Sequence, residues 1–160
     1  MSFTALGRAV PKPPFDGARS APVVRLCAVS LERTTPPGQP LTDADRRRPE
    51  QLRRLSCALL DLWDLGSYVD DVELLVSELV TNALQHGTGL AVHVRICADD
   101  DHLHLYVEDG SSNRPVPRPM DIEAENGRGL HMVAAIADHL DTSEDGTTVH
   151  CAMALSERAA

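Results

Sequence analysis

The stretch ELVTNALQHG, residues 78–87, decides the fold. It ends a longer run in which apolar residues recur at helical spacing, namely Val72, Leu75, Val76, Leu79, Val80, Ala83 and Leu84. This stripe predicts an amphipathic helix over residues 68–85, with its apolar side against a core. On the polar side, Glu78 and Asn82 are four residues apart and therefore lie one turn apart on the same face. The pair fits a solvated face and a ligand-binding face, and the helix pattern alone favours the solvated face.

Before this helix, the sequence predicts a tail, a strand and another helix. Residues 1–22 are rich in Pro, Gly, Ala and Arg, which predicts a disordered N-terminal tail before a single domain over residues 23–158. Residues 23–31 could form an edge strand. Thr42 and Asp45 resemble a capping box, whereas Pro49 suits the first position of the main helix. Leucines then recur at helical spacing, and Gly66 can serve as the glycine that ends this helix; the leucines are Leu52, Leu55, Leu59 and Leu62.

After residue 87 the apolar period changes from 3.6 to 2. The segments LAVHVRIC (90–97) and HLHLYVED (102–109) alternate apolar and polar residues, which predicts an antiparallel hairpin with one buried face. A long irregular stretch follows, then a helix over residues 127–140 and a last strand over residues 147–155. Helices must cover the apolar face of such a sheet, so the fold class predicted is an α+β two-layer sandwich.

Composition restricts the function classes. The net charge of −9 disfavours direct binding to nucleic acid or to an anionic membrane, because both require basic patches. No apolar run approaches the roughly 20 residues that span a bilayer, and the N-terminus lacks the apolar segment of a secretory signal. The four cysteines are far apart in sequence, so we expect buried, reduced thiols in a cytoplasmic protein; they are Cys27, Cys57, Cys97 and Cys151.

Two further motifs have residues suited to binding chemistry. In VEDGSS (107–112), Asp109 closes a strand and could accept a hydrogen bond from an amine, and Gly110 would let a flat ring approach. In ENGRGL (125–130), two glycines flank Arg128 at the start of a helix, where backbone N–H groups favour anions. Each motif taken alone also fits an ordinary turn.

Taken together, the motifs ELVTNALQHG, VEDGS and GRGL resemble the N, G1 and G2 boxes of the GHKL ATPase superfamily, which includes gyrase, Hsp90, histidine kinases and MutL. With PVPRP between them, the set is similar to the anti-sigma factor serine/threonine kinase group. The resemblance covers roughly residues 42–155. It implies the Bergerat fold, a mostly antiparallel sheet with helices on one face, and the ligands ATP and Mg²⁺.

The resemblance also implies a role for each matching residue. Glu78 matches the general base, Asn82 the Mg²⁺-coordinating asparagine, and Asp109 the aspartate that reads the adenine amine. Residues 112–126 match the ATP lid. The ATP-binding positions implied are Asn82, Asp109, Gly110, Gly127, Arg128, Gly129, Leu130 and Thr148, with Thr147 an equal alternative to Thr148.

The function implied is an Mg-ATP-binding anti-sigma factor that phosphorylates a serine or threonine of a STAS-type anti-anti-sigma protein. A sigma factor is the other implied partner, and the family often forms homodimers. Asp109 is followed by Gly110-Ser111-Ser112-Asn113, whereas the family's fuller G1 pattern is DxGxG. This departure motivates an alternative function, a catalytically inactive ATP-binding or ATP-independent module that sequesters a sigma factor or its antagonist.

Four histidines fall on the polar side of the predicted strands, namely His93, His102, His104 and His150. They could cluster on the outer face of the sheet and bind Zn²⁺. Strand alternation already explains why they point outward, so the sequence favours a solvated face over a metal site.

Overall fold

The computed structural model describes residues 25–110 and 127–155, and only the backbone of residues 127–131. The predicted tail over residues 1–22 and the predicted lid over residues 112–126 lie outside the described residues. The elements in chain order are β1 (Arg25–Glu32), α1 (Asp43–Arg46), α2 (Arg48–Leu62), a 3₁₀ turn (Gly66–Tyr68), α3 (Val69–His86), β2 (Ala91–Ala98), β3 (His102–Glu108), α4 (Gly127–Ile136), β4 (His139–Thr142) and β5 (Thr148–Ala154).

The sheet has five antiparallel strands in the order β1-β2-β3-β5-β4. The predicted hairpin is confirmed as β2 and β3, and β1 is an edge strand as expected. The helix predicted over residues 127–140 is too long, because α4 ends at Ile136 and His139 begins β4. Leu140 pairs with Cys151 across the sheet, so the backbone hydrogen bonds of this segment come from β5 rather than from another helical turn.

One face of the sheet packs against the helices, which confirms the predicted two-layer α+β sandwich. The whole predicted apolar stripe of α3 is buried there, together with the inward residues of β2, β3 and β5. The burial predicted for two leucines of the apolar pattern is wrong, since Leu62 is 76% exposed and Leu90 is 86% exposed. Leu62 is the last residue of α2. Leu90 precedes β2, and its carbonyl accepts a hydrogen bond from the backbone N–H of Arg33.

The end of α2 differs from the sequence expectation. Pro49 lies in the first turn, as predicted, but Gly66 does not end the helix. Asp64 instead takes the left-handed conformation with φ 59°, and its N–H donates to Asp61 O at 3.2 Å. The N–H of Leu65 donates to Leu60 O at 2.8 Å, which completes a Schellman motif. An aspartate tolerates this conformation well enough to replace glycine.

Asp45 has a structural role that the predicted capping box describes only in part. The Thr42 hydroxyl does cap α1 by accepting the Asp45 N–H at 3.2 Å. The Asp45 carboxylate, however, turns to the loop after β1 and accepts the N–H groups of Thr34 and Thr35, the latter at 2.8 Å. Its side chain is fully buried, so it ties α1 to that loop.

The four cysteines are free thiols. Cys97 and Cys151 are buried, and burial raises the pKa of Cys97 to about 11 and that of Cys151 to about 12. Cys27 and Cys57 are only half-buried. Among the described helices, none combines the length and apolar composition that crossing a membrane requires.

Tyr68 links the helical layer to the last strand, since its hydroxyl donates to Ala154 O at 3.1 Å from a side chain only 3% exposed. We expect Tyr68→Phe to lower the free energy of unfolding by about 1 kcal/mol, because the partly buried carbonyl of Ala154 loses a donor. Urea denaturation measures this loss. Tyr106→Phe, the same change on a half-exposed ring, should change stability by less than about 0.5 kcal/mol. Equal effects in both variants would contradict the assigned hydrogen bond.

Candidate functional site

The polar side of α3 is divided between two environments. Ser77 accepts a hydrogen bond from Arg53 of α2 at 2.9 Å, and Glu73 accepts one from the Cys57 thiol at 3.1 Å. These contacts attach α3 to α2. Farther along the helix, Glu78 and Asn82 are half-buried and lie one turn apart, so their face is neither part of the core nor fully solvated.

The end of α3 meets the end of β3. Gly87 follows the helix and is buried, and a Cβ added to it would lie 2.5 Å from Ala83 O and 2.7 Å from the Cβ of Asp109. Only a residue without a side chain fits this space. The first and second sequence motifs, predicted separately, are therefore in direct contact.

Gly110 extends this contact. Its φ is +69°, in the left-handed region, and an added Cβ would collide with the carbonyl of Ala91. Gly89 lies against the backbone of Gly110 with equally little space for a side chain. Backbone segments pack directly on one another here, which leaves Asp109 beside the C-terminal end of α3.

Asp109 is half-buried, and its N–H donates to Thr147 O at 3.0 Å. Thr148 is paired with Glu108, whereas Val107 is paired with Val149 and belongs to the core face. Because paired residues share a face, Thr148 lies on the face away from the helices. Thr147 is thus the threonine whose backbone adjoins Asp109; its hydroxyl donates to the Asp145 carboxylate at 2.8 Å.

Arg33 supports the site but was not predicted from the sequence. Its guanidinium donates to Ala83 O at 2.6 Å, to Leu84 O at 3.0 Å, and also to Gly87 O. These are carbonyls of the last turn of α3 and of its C-cap, of which Ala83 O also accepts the Gly87 N–H at 3.0 Å, and a cation is favoured at this end of the helix dipole. Arg33 directly follows β1 and lies 50 or more residues before its partners, so no local pattern could have revealed it.

Gly127 and Gly129 lie in the first turn of α4, as the third motif predicted. This helix packs against α3 and β4, and Val133 on it is fully buried in the core. The side chains of Arg128 and Leu130 lie outside the described set, so their roles stay predictions.

A groove of about 420 Å³ lies next to the candidate site but is built from other residues. It runs between α1, the start of α2 and α3, and is lined by Gln39, Pro40, Leu41, Asp45, Arg46, Pro49, Thr81, Leu84 and Gln85. Its buried carboxylate, Asp45, is already occupied by the N–H groups of Thr34 and Thr35. Glu78, Asn82 and Asp109 do not line the groove, so the groove is distinct from the candidate site.

Comparison with known proteins agrees with this geometry. A family model described as the histidine kinase-like ATPase domain matches residues 44–153, which is more than half of the chain and includes all three motifs. A search of curated proteins finds no match. Arg33 lies before the matched residues. The chain belongs to the histidine kinase-like ATPase domain family, of the GHKL type, which implies that it binds ATP.

Proposed function

We propose that the protein is an Mg-ATP-binding regulatory factor that transfers the γ-phosphate to a serine or threonine of a small partner protein. The observation that supports this most is the contact of Gly87 with Asp109, which joins the end of the Glu78–Asn82 helix to the candidate adenine-reading residue. A phosphoryl-transfer site needs groups for the base, the phosphates and the nucleophile on elements that meet.

On α3, Glu78 would accept the proton of the attacking hydroxyl or orient that hydroxyl. The carboxamide oxygen of Asn82, one turn away, is a hard oxygen donor of the kind Mg²⁺ prefers, and its half-buried position suits a ligand shared with phosphate and water. When bound, Mg²⁺ would neutralise charge on the phosphates.

Around the adenine, the Asp109 carboxylate would accept a hydrogen bond from the exocyclic amine, with Thr147 as the neighbouring threonine. At the other end of the nucleotide, the first turn of α4 offers the N–H groups of residues 127–130 to the phosphates. Residues 112–126 would close over the triphosphate as a lid.

The partners that we propose are a STAS-type anti-anti-sigma protein as the phosphate acceptor and a sigma factor as the regulated protein. The support is the resemblance of the motif set to the anti-sigma kinase group. The same resemblance supports a homodimer, and the widely spaced cysteines, read as reduced thiols, support a cytoplasmic location. The altered G1 sequence supports the second candidate, a module that binds ATP without transferring phosphate.

Calorimetric titration with ATP and Mg²⁺ tests the site. We expect Asn82→Ala and Asp109→Asn each to weaken ATP binding by about tenfold, as expected for the loss of one charge-assisted or metal contact. Gln85→Ala, an exposed position on the same helix, is the matched control and should bind as the wild type does. Unchanged affinity in both site variants would contradict the assignment, and a wild type that does not bind ATP would favour an ATP-independent module.

Transfer of labelled γ-phosphate to purified STAS proteins tests the activity. We expect Glu78→Gln to retain ATP affinity and to slow transfer by about 10²-fold or more, as for loss of a general base. If the wild type binds ATP but labels none of these proteins, the inactive ATP-binding module is favoured. If Glu78→Gln transfers phosphate at the wild-type rate, Glu78 is not the base.

A further inference from the structure

We propose that Asp99, His102 and His104, at the turn between β2 and β3, form a binding site for a divalent transition-metal ion. Each of these three side chains offers one potential ligand atom, and the three atoms lie within 4.8 Å of one another. No other group of three acidic, histidine or cysteine side chains within residues 25–110 and 127–155 meets this criterion. The sequence pattern had pointed to His93 and His150 as well, but the fold selects a different set.

The distances between the three side chains suit a common metal ion. Asp99 Oδ2 lies 3.2 Å from His104 Nε2, and Asp99 Oδ1 lies 3.9 Å from His102 Nδ1. In a tetrahedral zinc site with bonds of about 2.0–2.2 Å, neighbouring donor atoms are roughly 3.3–3.5 Å apart. Asp99 and His104 already have nearly this spacing, and a small rotation of the exposed His102 ring would complete the set.

The turn holds Asp99 in place for this role. Its Oδ1 accepts the N–H groups of Asp101 at 2.9 Å and His102 at 2.7 Å, and its own N–H donates to His102 O at 3.0 Å. One carboxylate oxygen therefore fixes the turn, while Oδ2 faces His104. A ligand already held by backbone hydrogen bonds loses little conformational freedom when it binds metal.

The second ring nitrogen of His104 is also engaged, which resembles the environment of a metal-bound histidine. His104 Nδ1 lies 3.1 Å from His150 Nε2. Without metal, His104 Nε2–H donates to the Asp99 carboxylate; metal binding would use the other neutral tautomer, in which Nδ1–H donates to His150 and the Nε2 lone pair is directed at the metal. The His150 ring stacks on Tyr106 at 4.2 Å between centroids, and the Arg95 guanidinium lies over Tyr106 at 4.4 Å, so the supporting ring is itself packed.

The two imidazoles are borderline donors, so together with one carboxylate they suit Zn²⁺, Ni²⁺ or Cu²⁺ rather than Mg²⁺. Three protein ligands leave a fourth position open to water. The site lies at the turn end of β3, whereas Asp109 follows the other end of that strand, roughly 20 Å away. Occupancy by zinc is therefore expected to be independent of ATP and of the proposed nucleotide function.

Zinc titration by calorimetry on tag-free, full-length protein tests the site, with metal content measured after gel filtration. We expect the wild type to retain one zinc ion per chain, and His102→Gln and His104→Gln each to weaken binding at least about tenfold. His93→Gln is the matched control, because His93 is an exposed histidine paired with Glu108 nearer the far end of the hairpin.

His102 is 47% exposed, so its replacement should leave the fold intact, which thermal melting verifies. A wild type that retains no stoichiometric zinc would overturn the proposal. So would a His102→Gln variant that binds zinc as tightly as the wild type, or a His93→Gln variant that loses zinc equally. His102→Gln should bind ATP with wild-type affinity. The zinc titration and the ATP titration therefore test the proposed metal site and the proposed nucleotide site independently.

Discussion

Gly87→Ala is expected to weaken ATP binding by roughly 30-fold and to lower the free energy of unfolding by about 2 kcal/mol. The backbone at this position, with φ −66° and ψ 153°, is one that alanine adopts without strain, so the effect comes from contact alone. The new methyl group would meet Ala83 O at 2.5 Å and the Asp109 Cβ at 2.7 Å. Neither atom is at the free end of a flexible side chain, so α3 and Asp109 must move apart. Restoring their arrangement on binding ATP then costs affinity.

Calorimetric titration and urea denaturation of the same preparation measure both effects. Gly66→Ala is the matched control, because its nearest non-bonded atom would be Asp61 Oδ1 at 3.5 Å and its φ is not positive. Gly38→Ala is a second control that introduces backbone strain without a steric contact: φ is +78° at Gly38, and an added Cβ would have no atom within 4 Å. It should lose about 1 kcal/mol of stability and no ATP affinity. If Gly87→Ala binds ATP as tightly as Gly66→Ala does, the contact between α3 and Asp109 has no role in the site.

Asp45→Ala is expected to lower the free energy of unfolding by about 3 kcal/mol. The carboxylate is fully buried and accepts the N–H groups of Thr34 and Thr35, and the N–H of the buried Thr35 would then lose its partner. Chemical denaturation measures this loss. Asp43→Ala, at an exposed acidic residue in the first turn of the same helix, should change stability by less than about 1 kcal/mol and serves as the control. Similar losses in the two variants would show that the helix terminus, and not the buried carboxylate, is responsible.

The same residue gives stability a dependence on pH. Burial raises the pKa of Asp45, but the hydrogen bonds from Thr35 and Thr34 outweigh it, and the pKa is lowered below its usual value. The unfolded chain therefore binds a proton at a higher pH than the folded chain does. The contribution of Asp45 is complete above the unfolded pKa of about 3.9 and is lost as the pH falls through the folded value. Below roughly pH 4, wild-type stability should fall more steeply with decreasing pH than that of Asp45→Ala; parallel curves would contradict this assignment.

Much of the fold could be predicted from the sequence because its patterns are local. The stripe of α3 and the alternation of β2 and β3 differ in period, and each period depends only on neighbouring residues. The wrong predictions have two physical causes, a distant strand partner in one case and a local choice of helix-ending residue in the other. Residues 139–140 form a strand because β5 provides their hydrogen bonds. Asp64, rather than Gly66, ends α2 because Leu65 N–H reaches the Leu60 carbonyl.

The candidate site divides in the same way. The nucleotide roles of Glu78, Asn82 and Asp109 were implied by the resemblance of the three motifs to the GHKL boxes, whereas each motif alone also fitted a solvated helix face or an ordinary turn. The contact of Gly87 with Asp109 and the hydrogen bonds from Arg33 to α3 depend on the order in which the strands pair. Sequence reasoning without the topology had no means of identifying them.

The position of β5 between β3 and β4 has a consequence for the order in which the chain can fold. The β2–β3 and β4–β5 pairs, and the packing of α2 on α3, join neighbouring parts of the chain and can form early. The β1–β2 and β3–β5 pairs must instead close long loops. During synthesis, β3 therefore keeps an unpaired edge until residue 154 has left the ribosome, whereas α3, which is made earlier, can already pack on its apolar face. This edge, rather than the nucleotide site, is where a nascent chain is most exposed to aggregation.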